Sequence, residues 1–289
     1  MLYLPKKKYR SAAAPNKVQD LPDIRSASSA TVDLSIVIPA FNEVPRLPSM
    51  LASAVEHLSK SAYNDRTHEI LIVDDGSSDG TTDIALKLAQ DYKSWDIRVI
   101  TLETNIGKGG AVRHGMLHSR GRRLLMVDAD GASRFEDLEV LWKEMDRIAP
   151  DDRPVVVVGS RAHLVNTDAV VKRSVLRNMA MYALHLTLRL VGVGHVHDTQ
   201  CGFKLFSRQA AQAIFPLQHL TGWIFDVEIL LLAKQLRITV TEVPINWSEV
   251  PESKLRLMRD SLLMFRDLLV LRANQLTGRW TIPKEKKTD

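Results

Sequence analysis

The chain has 289 residues, 45% hydrophobic and 25% charged, which is ordinary for a globular protein and unlike a disordered, collagenous or coiled-coil chain. Its longest stretch without Asp, Glu, Lys or Arg is 17 residues, Gln209 to Phe225; a spanning helix needs about 20 mainly apolar residues, so no transmembrane segment is expected. The net charge of +5 divides into +4 over residues 1–30, +4 over residues 251–289 and −3 over the middle, which with no aromatic-basic interleaving argues against a nucleic-acid partner. The opening MLYLPKKKYR has no apolar core of a signal peptide. One cysteine excludes an internal disulfide framework and fits a reducing compartment.

Residues 1–32 are rich in Lys, Ser, Ala and Pro without a sustained period and read as a flexible basic arm. Short apolar runs then recur: Leu34-Ser-Ile-Val-Ile38, Glu69-Ile-Leu-Ile-Val73, Ile97-Arg-Val-Ile-Thr101, Arg123-Leu-Leu-Met-Val127 and Val155-Val-Val-Val-Gly159. Runs of this length and β-branched content fit buried strands. Between them, residues 46–60, 81–92, 109–119 and 136–148 carry apolar side chains at helical spacing, as in Leu138, Leu141, Trp142, Met145 and Ile148. Alternating strand and helix predicts an α/β fold over residues 33–250: a mostly parallel sheet with helices on both faces. Residues 251–289 add an amphipathic helix and a basic tail. Leu255, Met258, Leu262, Phe265, Leu269 and Arg272 share a face, widened by Leu268 and Leu271 and flanked by Lys254, Arg256, Arg259 and Arg266. Such a helix packs on the core or lies in a membrane interface, and a basic one with Leu and Phe suits the second.

In a parallel sheet, ligands bind at the carboxyl ends of the strands. Here the strand ends carry Pro39-Ala-Phe-Asn-Glu43, Asp74-Asp-Gly-Ser-Ser-Asp-Gly-Thr81, Asn105-Ile-Gly-Lys-Gly-Gly110 and Asp128-Ala-Asp130. Asp128 and Asp130 suit a hard divalent cation if the chain turns to bring both carboxylates to one ion, with Ala129 and Gly131 leaving room for a diphosphate; the alternative is a solvated turn. Asp75 can accept from a ribose or a uracil imide, with Asp74 beside it, while Asp79 or Ser78 caps the next helix. Gly107-Lys-Gly-Gly110 opens a helix where free amides favour anions, and Lys108 adds a point charge. Its spacing matches neither a P-loop nor G-x-G-x-x-G, which removes simple ATPase and dinucleotide-dehydrogenase readings. Arg161, Arg173 and Arg177 can pair with phosphate or be solvated. Cys201 reads as a small packed thiol, and the nine histidines show no metal-ligand spacing, His195 and His197 flanking a turn.

These motifs, from Pro39-x-x-Asn-Glu43 to Asp128-x-Asp130, resemble those of the metal-dependent, GT-A-fold glycosyltransferases of family 2. Asp128-Ala-Asp-Gly-Ala132, Asp198-Thr-Gln-Cys-Gly-Phe-Lys-Leu-Phe206, Phe225-Asp-Val-Glu228, Asn246-Trp-x-Glu249 and Ser253-Lys-Leu255 resemble its dolichyl-phosphate glucosyl-transferring branch. The resemblance implies a GT-A (Rossmann-like) fold and inverting glucose transfer from UDP-glucose to dolichyl phosphate at the cytosolic face of the endoplasmic reticulum, for N-glycosylation. It implies that Pro39, Phe41, Glu43, Asp74, Asp75, Lys108, Asp128 and Ala129 line the nucleotide. Asp128 and Asp130 would hold Mg²⁺ or Mn²⁺, and Arg161 and Arg177, with Lys204, would receive the acceptor phosphate. Members usually carry an N-terminal membrane helix, which this sequence does not show, so membrane contact is expected at its basic ends. Related mannosyl enzymes carry Gln where this chain has Ala132, which disfavours the mannosyl alternative. An alcohol acceptor would need a base, for which Asp226 is the candidate; a phosphate acceptor is already anionic and needs arginine rather than deprotonation.

Overall fold

The computed structural model describes residues 8–11, 14–26, 29–60, 65–151, 153–163, 197–248 and 257–280. The five apolar runs become β3 (Val32–Ala40), β4 (His68–Asp74), β5 (Asp96–Thr101), β6 (Gly121–Val127) and β7 (Val155–Ser160). Leu34, Ile36, Ile38, Ile70, Ile72 and Leu125 join one buried cluster, whereas Val37, Leu71, Val73, Leu124 and Met126 join another. A strand sends successive side chains to opposite faces, so runs apolar at every position require both faces to be covered. Helices α1 (Leu47–Leu58), α2 (Thr81–Asp91) and α4 (Leu138–Ile148) cover the first face. Helices α3 (Lys108–Leu117), α5 (Arg208–Ile214), α6 (Phe225–Gln235) and α7 (Leu257–Leu276) cover the second.

Among the described residues the sheet has nine strands; with β1 (Lys8–Ser11) and β2 (Ala14–Asp20) at one end and β8 (Phe203–Ser207) and β9 (Thr239–Pro244) near the other, the order is β2-β1-β5-β4-β3-β6-β8-β7-β9. β5, β4, β3 and β6 are parallel neighbours, and β9 is parallel to β7. β8 runs against both β6 and β7, so these two point the same way. The carboxyl ends of β3 to β7 therefore meet along one edge, as the sequence pattern requires.

Two segments depart from expectation. Where composition predicts a flexible arm, β1 (Lys8–Ser11) and β2 (Ala14–Asp20) form a hairpin whose first strand pairs antiparallel with β5. An open sheet edge offers unpaired backbone groups. Beyond the hairpin, Leu21 and Ile24 bury their side chains in the core, and the Ile24 amide donates to the Leu117 carbonyl at 2.8 Å. In α7 Leu262, Phe265, Leu269 and Arg272 are exposed together on one face, with Leu276, while Leu268 and Leu271, expected to widen that face, turn into the core with Met264. Lys254, Leu255 and Arg256 lie outside the described residues, and so do the side chains of Met258 and Arg259. Among the described residues, no helix is long and apolar enough to cross a membrane.

Candidate active site

The loop after β3 is laced to the loop after β4. Asn42 adopts a left-handed backbone at φ 54°; its amide donates to Ser77 Oγ at 2.8 Å, and its side-chain oxygen accepts from the Ser78 amide at 2.9 Å. Asparagine tolerates this conformation, and its short side chain closes the turn. Pro39 is buried in β3, Phe41 is exposed beyond it, and Glu43 is held by Arg46 through two 2.7 Å contacts.

Asp74 and Asp75 diverge. Asp74 is fully buried and accepts from the Ser77 amide at 3.0 Å and from the Thr82 hydroxyl, which clips its own loop to α2. Asp75 reaches across to the loop after β5, where its two oxygens accept the Ile106 and Gly107 amides at 2.8 and 2.9 Å. Burial pushes the Asp75 carboxyl up to about 6 against the pull of those two hydrogen bonds. Gly107 must be glycine: it stands at φ 95°, and a Cβ there would lie 2.5 Å from the Thr221 carbonyl oxygen. The α3 start is thereby pressed against residues 221–223.

Lys108, at that helix start, places Nζ 2.8 Å from Asp128 Oδ2 and 2.7 Å from Oδ1. The second contact lacks the alignment of a hydrogen bond, so Oδ1 is buried without one. Burial acts to lower the Lys108 pKa, and the Asp128 and Asp226 carboxylates override it to raise it. The Trp223 ring lies 5.6 Å from the same ammonium, within cation–π range. Ala129 is buried beside Asp128, and Asp130 Oδ1 accepts the Ala132 amide at 3.0 Å. Burial, and then the neighbouring Asp128 charge, push the Asp130 carboxyl above the ordinary range. Asp128 thus leans on the Lys108 ammonium, and its charge in turn disfavours ionisation of Asp130. Two carboxylates within electrostatic range of each other are the donor type that a hard divalent cation takes. Among the described residues, no group of three or more His, Cys, Asp or Glu side chains gathers for a metal.

Arg161 follows β7 and is tied to Asp198 by its Nε at 2.7 Å, its Nη2 at 2.8 Å and its backbone amide at 2.8 Å. Trp247 lies 5.4 Å from its guanidinium. Asp226 is buried in an ion pair with Lys204, Nζ to Oδ1 2.6 Å, and Lys204 also donates to the Cys201 carbonyl. Burial pushes the Asp226 carboxyl up, against the pull of the Lys204 and Lys108 charges. The thiol of Cys201 is buried too, and desolvation raises it to about 12. Arg173, Arg177 and His195 lie outside the described residues. The fold thus brings Lys108, Asp128, Asp130, Asp226 and Arg161 into mutual electrostatic range, while Asp74 points into its own loop. Sequence reasoning gave no role to Glu242, which no local pattern marks, and none to Trp223, although it opens the Trp223-Ile-Phe-Asp-Val-Glu228 motif. Trp247 stood in a recognised motif without a stated partner.

Residues 35–215 match the model of Glycosyl transferase family 2. A dolichyl-phosphate beta-glucosyltransferase of Saccharomyces cerevisiae is 48% identical over 254 residues, covering 85% of this chain and 75% of its own length. One of Homo sapiens is 42% identical over 277 residues, covering 95% and 85%. Among solved structures, a glucosyl-3-phosphoglycerate synthase of Mycobacterium tuberculosis, in complex with Mn²⁺, UDP-glucose and glycerol 3-phosphate, superposes with a TM-score of 0.55 at 19% identity. It covers 83% of this chain and 80% of its own, a likeness of fold. The chain belongs to glycosyl transferase family 2 and, within it, to the dolichyl-phosphate beta-glucosyltransferases.

Proposed function

We propose that the chain transfers glucose from UDP-glucose to dolichyl phosphate with inversion, giving dolichyl β-glucosyl phosphate for N-glycan precursor assembly. The observation that carries this reading is the convergence of Lys108, Asp128, Asp130 and Arg161 at one sheet edge, within a chain whose relatives bear that activity in their names. Displacement at the anomeric carbon needs a stabilised diphosphate leaving group. Lys108 supplies one positive charge. Asp128 and Asp130 are the residues to hold Mg²⁺ or Mn²⁺, which when bound neutralises the departing diphosphate; the M. tuberculosis fold neighbour, crystallised with Mn²⁺ and UDP-glucose, supports a divalent ion. Asp75 is assigned to the base of the nucleotide, with Pro39, Phe41, Glu43 and Ala129 around it, while Asp74, buried and spent on Ser77 and Thr82, holds the loop instead.

The acceptor phosphate is already anionic, so the attacking oxygen needs orientation rather than deprotonation. Arg161 keeps Nη1 out of its Asp198 pairing and is assigned to that phosphate, with Arg177 as the second arginine. Asp226, locked to Lys204, is not needed as a base. The exposed Leu262, Phe265, Leu269 and Leu276 of α7, among exposed Arg266, Arg272 and Arg279, suit an anionic lipid surface, in keeping with an acceptor embedded in the endoplasmic reticulum membrane and approached from its cytosolic face.

A transfer assay offering radiolabelled UDP-glucose and GDP-mannose in parallel, with and without dolichyl phosphate, tests the reading. Label should enter lipid from UDP-glucose and require dolichyl phosphate. Incorporation from GDP-mannose instead would assign another member of the family, and UDP binding without turnover would assign a non-catalytic module.

A further inference from the structure

Glu242 lies in β9, opposite Val158 of β7, and takes no part in the chemistry described above. Its carboxylate leaves the strand and gathers three N–H groups from two consecutive residues. Oε1 accepts the His197 and Asp198 amides at 3.0 and 2.9 Å, while Oε2 accepts the His197 amide and pairs with His197 Nδ1, both at 2.9 Å. Asp198, so held, is the residue that grips Arg161 through its backbone amide, Nε and Nη2. The succession is therefore carboxylate, amide, carboxylate, guanidinium, and it runs from the sheet edge into the acceptor side of the cleft. Charge-assisted bonds to backbone amides fix a loop more firmly than neutral ones. A fork of two parallel bonds then fixes the plane of the guanidinium, while Trp247 lies near its face. Arg161 is 31% exposed, so solvent alone would leave its long side chain many rotamers.

We propose that Glu242 is a positioning residue for the acceptor phosphate: acting through Asp198, it sets the orientation in which Arg161 meets the phosphate. This rests on the assignment of Arg161 to the acceptor. The clamp contributes pre-organisation, so its removal is felt where Arg161 acts and not in the nucleotide half of the cleft.

Steady-state kinetics of the full chain, with dolichyl phosphate in detergent micelles and UDP-glucose varied separately, provide the test. Glu242→Ala should raise the KM for dolichyl phosphate about tenfold, with kcat and the KM for UDP-glucose changed by less than about twofold. Glu242→Gln, which keeps an oxygen for the amides, should recover most of that loss. In Arg161→Lys, where the planar fork is gone, adding Glu242→Ala should cost almost nothing further. If Arg161→Lys raises the acceptor KM and neither Glu242 variant does, the relay is overturned while the acceptor assignment stands. If Arg161→Lys leaves the acceptor KM unchanged, the acceptor assignment falls and the relay with it. Equal losses in both substrates' KM values would make Glu242 a general structural residue and overturn the proposal. Should Glu242→Ala fail to fold, Glu242→Gln and Asp198→Asn, each checked for an unchanged melting temperature, carry the same comparison.

Discussion

Asp226 and Lys204 lie 2.6 Å apart with side chains 4% and 0% exposed, and that burial changes what an Asp226 substitution reports. Removing one partner of a buried pair leaves an uncompensated charge, so Asp226→Asn should cost about 3–5 kcal/mol of stability. Loss of activity would then follow loss of fold rather than loss of a base. Combining it with Lys204→Met should restore much of the melting temperature, and transfer by the refolded double variant would confirm that no base acts there. Asp130→Ala should lower kcat/KM by at least about a hundredfold with the melting temperature little changed, and Arg161→Ala by as much, with some loss of melting temperature because Asp198 loses its counterion. Asp75 adds a pH dependence. Its folded-state pKa is raised to about 6 by burial, and a uracil imide donating to it favours the ionised form. UDP-glucose affinity should therefore be full above that value and fall as pH drops through it. Calorimetry from pH 5 to 8 checks this, and Asp75→Asn should flatten the profile.

At the scale of elements, β8 does most to shape the metal side of the cleft. Gly202, immediately before it, lies so close to Asp128 that a Cβ would fall 2.0 Å from Oδ2, and the Asp128 amide donates to the Gly202 carbonyl at 3.1 Å. Gly202→Ala must push the Asp128 carboxylate aside. Because a displacement of about 1 Å at reacting groups costs about a hundredfold, kcat should fall by that order while circular dichroism stays native. Weaker Mn²⁺ binding would accompany the change. This strand escaped sequence reading because its second residue is Lys204, a charge that interrupts the apolar pattern and is tolerated inside only because Asp226 comes from α6 to meet it. The hairpin of β1 and β2 escaped for a different reason: its polar composition carries no signal, and its pairing comes from the open edge of β5.

Across the whole molecule, α7 presents two apolar faces, one inward and one outward. Leu268 is 2% exposed in the core, and Phe265, one helical turn earlier on the adjoining outward face, is 53% exposed. Leu268→Ser should therefore destabilise the fold by about 2–5 kcal/mol, read as a lowered melting temperature. A triple Leu262→Ser, Phe265→Ser, Leu269→Ser variant should keep its melting temperature and bind anionic liposomes about tenfold or more weakly. Raising salt should weaken the unaltered chain as well, since the flanking arginines are screened. Binding unchanged in the triple variant would move membrane contact elsewhere on the surface.

The alternation of apolar runs with helical periods, and the acids, glycines and lysine at four strand ends, were legible from the residues alone, because local periodicity and turn chemistry are written in neighbouring positions. They specified the α/β class, the edge that carries the site, and Asp128, Asp130 and Lys108 as its chemistry-bearing side chains. Partnership was not legible. That Asp74 turns inward while Asp75 bridges two loops, that Arg161 is gripped by Asp198, itself held by Glu242, and that α7 divides its leucines between core and surface all depend on residues brought together across the sheet. Such contacts join positions far apart in the chain, 37 residues from Arg161 to Asp198 and 44 from Asp198 to Glu242, and are set by strand order. No window of neighbouring residues encodes that order; it emerges when the sheet closes and each buried charge must find its counterion.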